Sequence, residues 1–204
     1  MLEYTLEQAL NDEGYSLVCG VDEAGRGPLC GPVVAAAVIL PQGLCIEGLN
    51  DSKKISEKKR ELLFDEICKN AIAYCIAEAS VEEINKTNIL AATLCAMRRA
   101  IEGLSPKADF ALIDGNIARD FPIPAKAVVH GDATSPSIAA ASILAKVTRD
   151  RQCLELDRAY PQYGIAKHKG YGTKDHMNAL REYGPSPIHR TKFIRFLEDS
   201  HENG

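Results

Sequence analysis

The chain has 204 residues, 46% of them hydrophobic, and a formal net charge of −4. That suffices for one well-packed domain over residues 1–204 and does not require two. No run approaches the roughly 20 apolar residues that span a bilayer, and the N-terminal Met-Leu-Glu-Tyr-Thr-Leu-Glu lacks the basic-then-apolar form of a signal peptide. These features exclude a membrane partner and predict a cytoplasmic protein.

In chain order, a short polar N-terminal segment precedes Leu17 to Val21, which reads as a strand buried on both faces and running on into Asp22 and Glu23. Residues 24–31 form a glycine-rich turn, and Pro32 to Leu40, rich in Val and Ala, reads as the antiparallel neighbour, ended by Pro41-Gln42-Gly43. Ser56 caps a helix through Asn70 with Leu62, Leu63 and Ile67 on its buried side, and Ile72 to Ala79 is a third strand. Ser80 and Glu83 have capping-box spacing for a short helix. Thr87 can cap a second, in which Ile89, Leu90, Leu94, Met97 and Ile101 recur at helical period until Gly103. Two short apolar runs follow, Phe110 to Ile113 and Ala127 to Val129. Ser135-Pro136 opens a long helix that ends before Pro161. Thr173 to Tyr183, closed by Gly184-Pro185, is another, and a basic tail ends in a disordered Asp-Ser-His-Glu-Asn-Gly.

Seven cysteines (19, 30, 45, 68, 75, 95 and 153) lie mostly within apolar runs, are odd in number and never form Cys-x-x-Cys. Neither a disulfide framework nor a zinc site is indicated, and a reducing compartment fits. The negative net charge argues against a nucleic-acid partner only if its acids hold no cations, since two divalent ions would return the total to about zero. Basic groups cluster at Lys53, Lys54, Lys58, Lys59 and Arg60, at Lys167, His168 and Lys169, and at His189, Arg190, Lys192 and Arg195. Taken singly, each cluster reads as solvated surface.

Three apolar runs stop at an acid: Leu17–Val21 at Asp22 and Glu23, Phe110–Ile113 at Asp114, and Ala127–Val129 with His130-Gly131 at Asp132. Sites in α/β sheets gather at strand ends, where such acids can converge. Packed carboxylates repel one another unless hard cations bind them, and an oxygen-only donor set favours magnesium or manganese over zinc. An acid after a strand is equally a turn residue or a helix cap; three in one chain, with one pair adjacent, shift the balance toward a metal. Neighbouring strand residues point to opposite faces, so Asp22 and Glu23 need a distortion to share an ion, which the turn at Gly25-Arg26-Gly27 could supply.

Five ordered motifs carry a resemblance that runs through nearly the whole chain: Gly-Val-Asp-Glu-Ala-Gly-Arg-Gly-Pro (20–28), Leu-Asn-Asp-Ser-Lys-Lys (49–54), Leu-Ile-Asp-Gly-Asn (112–116), Gly-Asp (131–132) with Ala-Ala-Ser-Ile-Leu-Ala-Lys-Val-Thr-Arg-Asp (140–150), and His-Lys-Gly-Tyr-Gly-Thr (168–173). The chain resembles bacterial ribonuclease HII, the prokaryotic type 2 ribonuclease H. The resemblance implies an α/β ribonuclease H-like fold: a mixed five-stranded sheet, three antiparallel strands then two parallel ones, flanked by helices. A C-terminal helical segment of about residues 160–200 would close over the substrate groove. It implies that Asp22, Glu23, Asp114 and Asp132 bind two Mg2+ or Mn2+ ions that act on the scissile phosphate. The implied substrates are the RNA strand of RNA–DNA hybrids and single ribonucleotides in duplex DNA. The cut falls on the 5′ side and leaves 3′-hydroxyl and 5′-phosphate ends, as ribonucleotide removal requires.

Gly25, Arg26 and Gly27 resemble the family's sensor of the 2′-hydroxyl, Tyr171 its sugar-packing tyrosine, and Lys53 and Lys54 its phosphate-contacting segment. On pattern alone these are a hairpin turn with a solvated arginine, a loop anchor and ordinary surface. Lys146 on the long helix could lie near Asp132, though a helix lysine usually points into water, and His130 adds a titratable group without an assigned role. The partner implied is nucleic acid, with the protein a monomer. Two rivals remain at this stage: another nuclease of the same fold, such as a resolvase or exonuclease, and a non-catalytic nucleic-acid binding module.

Overall fold

The computed structural model describes residues 2–52 and 55–197, so Lys53, Lys54 and the Asp-Ser-His-Glu-Asn-Gly tail lie outside the described residues. One five-stranded sheet organises the chain: β1 (Val18–Ala24), β2 (Val33–Ile39), β3 (Ala73–Ala79), β4 (Phe110–Asp114) and β5 (Ala125–Val128), in spatial order β3-β2-β1-β4-β5. β1 pairs antiparallel with β2, and β2 with β3; β4 runs parallel to β1, and β5 to β4. This is the mixed sheet that the resemblance implied.

Among the described residues, seven α-helices surround it: α1 (Thr5–Asp12), α2 (Glu57–Asn70), α3 (Val81–Lys86), α4 (Ile89–Glu102), α5 (Pro136–Ala159), α6 (Ile165–His168) and α7 (Lys174–Tyr183). The alternation of β2 assigns the layers. Val33, Ala35, Ala37 and Ile39 pack with Leu94, Met97 and Ile101 of α4, whereas Ala36 and Val38 face Ala140, Ile143 and Leu144 of α5 and Leu63 and Ile67 of α2. With both faces covered, every residue of β2 is buried and the strand reads as an unbroken apolar run. No helix among the described residues is long and apolar enough to cross a membrane.

Four local expectations need correction. The N-terminal segment contains helix α1, whose Glu7 is buried at the start of α5, accepting from the Ser135 hydroxyl at 2.6 Å and from the Ser137 amide at 3.2 Å. A carboxylate there is stabilised by the positive end of the α5 dipole, a tertiary effect invisible in the segment itself. Leu62 is 64% exposed, because Leu63 and Ile67, one turn apart, define the buried stripe of α2 and Leu62 lies outside it. Asn88, not Thr87, caps α4 by accepting from the Ala91 amide at 2.9 Å; the Thr87 hydroxyl is turned back to Glu83 O at the end of α3. β5 covers Ala125–Val128 rather than 127–129, since its parallel partner β4 ends at Asp114, opposite Val128, and leaves Val129 exposed.

The approach of α5 to β1 positions the site. Gly20 lies against the first turn of α5, where a Cβ would stand 2.1 Å from the Ser137 carbonyl carbon and 2.2 Å from the Ile138 amide nitrogen. Ser135 caps this turn, and the alanines at 139, 140, 141 and 145 keep the rest of the helix close to the sheet. Gly20→Ala is therefore expected to destabilise the fold by about 2 kcal/mol or more, as overpacking against backbone does. Urea unfolding measures this, and a midpoint equal to the parent's would contradict the close approach.

Candidate active site

Because β1 and β4 run parallel with Val21 opposite Ile113, Asp22 and Asp114 leave neighbouring strands at one level. Asp114 is then tied to the next chain segment: its Oδ1 accepts from the Gly131 amide at 2.8 Å. Gly131 is followed by buried Asp132 in a single 3-10 turn, entered through His130 in the left-handed region at φ 56°. A Cβ on Gly131 would meet the Ile138 side chain at 2.4 Å, so glycine there lets the turn close onto α5. The fourth acid thus sits on a turn beyond the end of β5.

Asp22 is 6% exposed, and its carboxyl is held well above the usual carboxylate range. Burial is the main cause, followed by the charges of Glu23 and Asp114. The Glu23 amide, donating to Asp22 Oδ1 at 2.7 Å, and the Ser142 hydroxyl of α5 pull the other way. Although adjacent on β1, Asp22 and Glu23 line the same cleft of about 220 Å3 together with Gly25, Arg26 and Gly27. Glu23 also meets Arg26 Nη1 at 3.2 Å, with the arginine half exposed; such a pair contributes little and yields readily to a stronger partner.

Across the cleft stands Tyr171, half exposed, its ring 3.4 Å from where a Cβ of Gly27 would be. Lys146 lines the cleft as well, and its ammonium pairs with Asp150 Oδ1 at 2.6 Å one turn along α5. Lys169, counted in the sequence only as part of a basic cluster, Ser52, which precedes Lys53, and Ser142, which sequence patterning did not single out, also line this space. Lys169 holds a left-handed backbone at φ 51°, and the hydroxyls of Ser142 and buried Ser52 are hydrogen-bonded at 2.9 Å. Lys53 and Lys54 follow Ser52 directly but fall outside the described residues.

Behind the cleft the structure departs most from the sequence reading. His168, His189 and Arg190, read as solvated basic groups, are buried. His176, from α7, donates through Nδ1 to Tyr171 O at 3.0 Å. Its Nε2 then accepts from His189 Nε2 at 3.2 Å, while His189 Nδ1 accepts from the Ser186 amide at 3.1 Å. His168 stacks on His176 with ring centroids 4.4 Å apart. Cys30 Sγ lies within 4.8 Å of both His176 and His189, the geometry of a possible metal centre. The two imidazoles satisfy each other, however, and the cationic Arg149 and Arg190 act on Cys30 from beside it, so a further cation is disfavoured. These residues reveal themselves only in three dimensions, since 146 positions separate Cys30 from His176.

Asp22, Glu23 and Asp114, whose charges act on Asp22, offer a different, all-oxygen donor set, with Asp132 following the glycine that is bonded to Asp114. That combination fits a hard divalent cation.

The sequence profile of the ribonuclease HII family matches residues 19–196. Ribonuclease HII of Burkholderia thailandensis is 60% identical over 182 residues, covering 89% of this chain and 85% of the relative. Among solved structures, ribonuclease H2 from Pyrococcus horikoshii aligns with a TM-score of 0.75 at 27% identity, covering 93% of this chain and 100% of that one. A structure of the PCNA:ribonuclease HII complex from Archaeoglobus fulgidus aligns with 0.72 at 26%, covering 87% and 95%.

The buried histidines set a pH dependence. Burial, then the neighbouring His176, hold the His189 imidazole down to about 4 from its ordinary 6.5. The fold favours the neutral ring, so this contribution to stability is complete above pH 6.5 and is lost as pH falls toward 4, where the unfolded chain takes up the proton first. His189→Gln is expected to flatten part of that acid-side loss in urea unfolding followed from pH 7 to 4. Identical slopes in parent and variant would show that the ring is not held neutral.

Proposed function

Since the chain belongs to the ribonuclease HII family, metal-dependent nucleases acting on RNA–DNA, we propose that it hydrolyses the RNA strand of RNA–DNA hybrids and cuts on the 5′ side of single ribonucleotides in duplex DNA. The products are 3′-hydroxyl and 5′-phosphate ends, and the setting is ribonucleotide removal by a cytoplasmic monomer. The observation that carries this reading is the Asp22 carboxyl, raised by burial and then by Glu23 and Asp114, in a cleft also lined by a glycine-rich turn.

Asp22, Glu23, Asp114 and Asp132 are the residues that would hold two Mg2+ or Mn2+ ions. When bound, such ions supply Lewis acidity at the scissile phosphate and charge to steady the departing oxygen. The protein's own groups do the rest. Ser142 and the Glu23 amide orient Asp22, and the amide of Gly131, the residue before Asp132, orients Asp114. The Gly25–Gly27 turn, with little side chain to stand off a sugar, presents peptide groups to the 2′-hydroxyl, the group that separates RNA from DNA. Tyr171 packs on the neighbouring sugar, its backbone held by the His176 imidazole. Lys53 and Lys54 contact phosphates, and the 160–200 segment, which supplies Lys169 and Tyr171 to the cleft, closes the groove.

A non-catalytic binding module has no use for acids that repel at the floor of its groove. A branched-DNA assay without ribonucleotides separates the proposed activity from that of a resolvase.

Asp22→Asn is expected to lower cleavage of a duplex carrying one ribonucleotide by at least about 100-fold, because a ligand charge is lost at constant volume. The same variant should melt at a higher temperature than the metal-free parent, since it removes an ionised group that burial and two neighbours disfavour. Parent-like turnover in gel assays would refute the assignment. Tyr171→Ala and Arg26→Ala should each reduce kcat/KM on the single-ribonucleotide duplex by about tenfold, the scale of one lost stacking or charged contact. If both variants match the parent, the proposed reader is misplaced.

A further inference from the structure

Resting on that reading, the structure also indicates what holds the 2′-hydroxyl reader in shape. Arg190 is fully buried, and all five of its N–H donors meet backbone carbonyls of one loop. Nε donates to Gly31 O at 3.0 Å; Nη1 donates to Arg26 O at 2.9 Å and Pro28 O at 2.8 Å; Nη2 donates to Gly25 O at 2.6 Å and Pro32 O at 3.1 Å. Arg149 of α5 gathers more from the same loop, donating to Cys30 O at 2.9 Å and Pro32 O at 3.1 Å.

This arrangement has a stereochemical consequence. The only cis peptide among the described residues is Ser105–Pro106, so the bonds 25–26 and 26–27 are trans and planar. In a trans peptide the carbonyl of one residue and the amide of the next point in opposite directions. With Gly25 O and Arg26 O turned inward to one guanidinium, the Arg26 and Gly27 amides are turned outward, on the cleft side. The next such plane behaves in the same way: Pro28 O faces Arg190, and the Leu29 amide donates outward to Gly170 O at 2.8 Å, next to Tyr171.

We propose that Arg190 is a positioning residue that fixes the peptide planes of the 25–27 turn, so that the Arg26 and Gly27 amides face a substrate 2′-hydroxyl in a donor-ready orientation. Attachment of the C-terminal segment does not need this side chain. Main-chain bonds from the Arg190 amide to Leu29 O and from the Gly31 amide to Ile188 O, with the Cys30–His189 bridge, already join it to the loop. The guanidinium adds orientation. Its planar five-donor fork is what several diverging carbonyls require, and a lysine ammonium with three donors cannot reproduce it.

The test compares the parent with Arg190→Lys and Arg190→Gln. In Mg2+ or Mn2+, both variants should lose at least about tenfold in kcat/KM on a duplex containing one ribonucleotide, Lys less than Gln. Their affinity for an all-DNA duplex, measured by anisotropy in Ca2+, should stay within about twofold of the parent's, since phosphate contacts carry it. Parent-like kcat/KM in folded variants, or a loss of affinity that accounts for the whole loss of turnover, overturns the proposal. A second measurement needs no variant. In the free parent, the Arg26 and Gly27 amides should exchange hydrogen rapidly, and a ribonucleotide-bearing duplex in Ca2+ should slow them more than the all-DNA duplex does. Amides already protected in the free protein, or equal slowing by the two duplexes, would show that the planes are not aimed as proposed. A parent that fails to cut the ribonucleotide duplex would refute the functional reading instead, while fast exchange in the free protein would still support the orientation.

Discussion

A carboxyl group buried among other carboxyl groups is the constraint on which this molecule turns. Asp22 stands two residues before the end of β1, and burial, then the charges around it, disfavour its ionised form. The fold sustains this arrangement and offsets it only in part, through the Glu23 amide and the Ser142 hydroxyl. Gly20 admits α5 to the backbone of β1 and thereby brings Ser142 to Asp22, while the parallel register of β1 and β4 sets Asp114 alongside. A sheet of this size, with β2 wholly buried between two helical layers, has apolar packing enough to offset a locally unfavourable site. Unfavourable local electrostatics that the rest of the fold maintains are what a site awaiting cations requires.

Much of this was legible in the chain because the signals are local. The alternation of β2, the cap and proline that open α5, and the acids that end β1 and β4 are each written within a few residues, and each states its own consequence. Asp132 was legible as a candidate but not in its setting: it follows a left-handed His130 on a turn that Gly131 folds against α5. The failures share a cause. Glu7 looked like an ordinary surface acid until the N-terminus of α5, about 130 residues later, supplied its donors. His189 and Arg190 looked like part of a basic patch because their partners, the carbonyls of residues 25–32 and the ring of His176, lie at long separation or belong to the backbone. A charged residue is read as exposed by default, and only tertiary structure reveals that carbonyl dipoles have replaced its water.

The two halves of the cleft therefore rest on opposite electrostatic devices. On the β1 and β4 side, acidic side chains crowd, and burial with the charges of Glu23 and Asp114 holds Asp22 well above its ordinary range. On the loop side, a buried cation draws carbonyl oxygens inward. Burial and the nearby Arg149 lower the Arg190 pKa to about 10, which still leaves it protonated at neutral pH. Each carbonyl it draws in exposes the positive end of the same peptide dipole on the opposite side, so the loop offers donors where the strands offer acceptors.

That division accounts for the placement of a cationic residue where no phosphate could reach it. A further arginine in the open cleft, beside Arg26, would compete with divalent ions for Asp22 and Glu23 and would add affinity for any duplex, with or without ribose. Held behind the backbone, Arg190 acts through peptide planes whose directions it fixes, and the groups finally offered to the substrate are neutral amides. Neutral donors of fixed direction suit a hydroxyl, which both accepts and donates and carries no charge to be found at a distance. The acids handle charge at the phosphate, and the loop handles geometry at the sugar. The histidine pair that holds Tyr171 by its carbonyl belongs to the second task, because a ring packed on a sugar discriminates only if its backbone cannot drift.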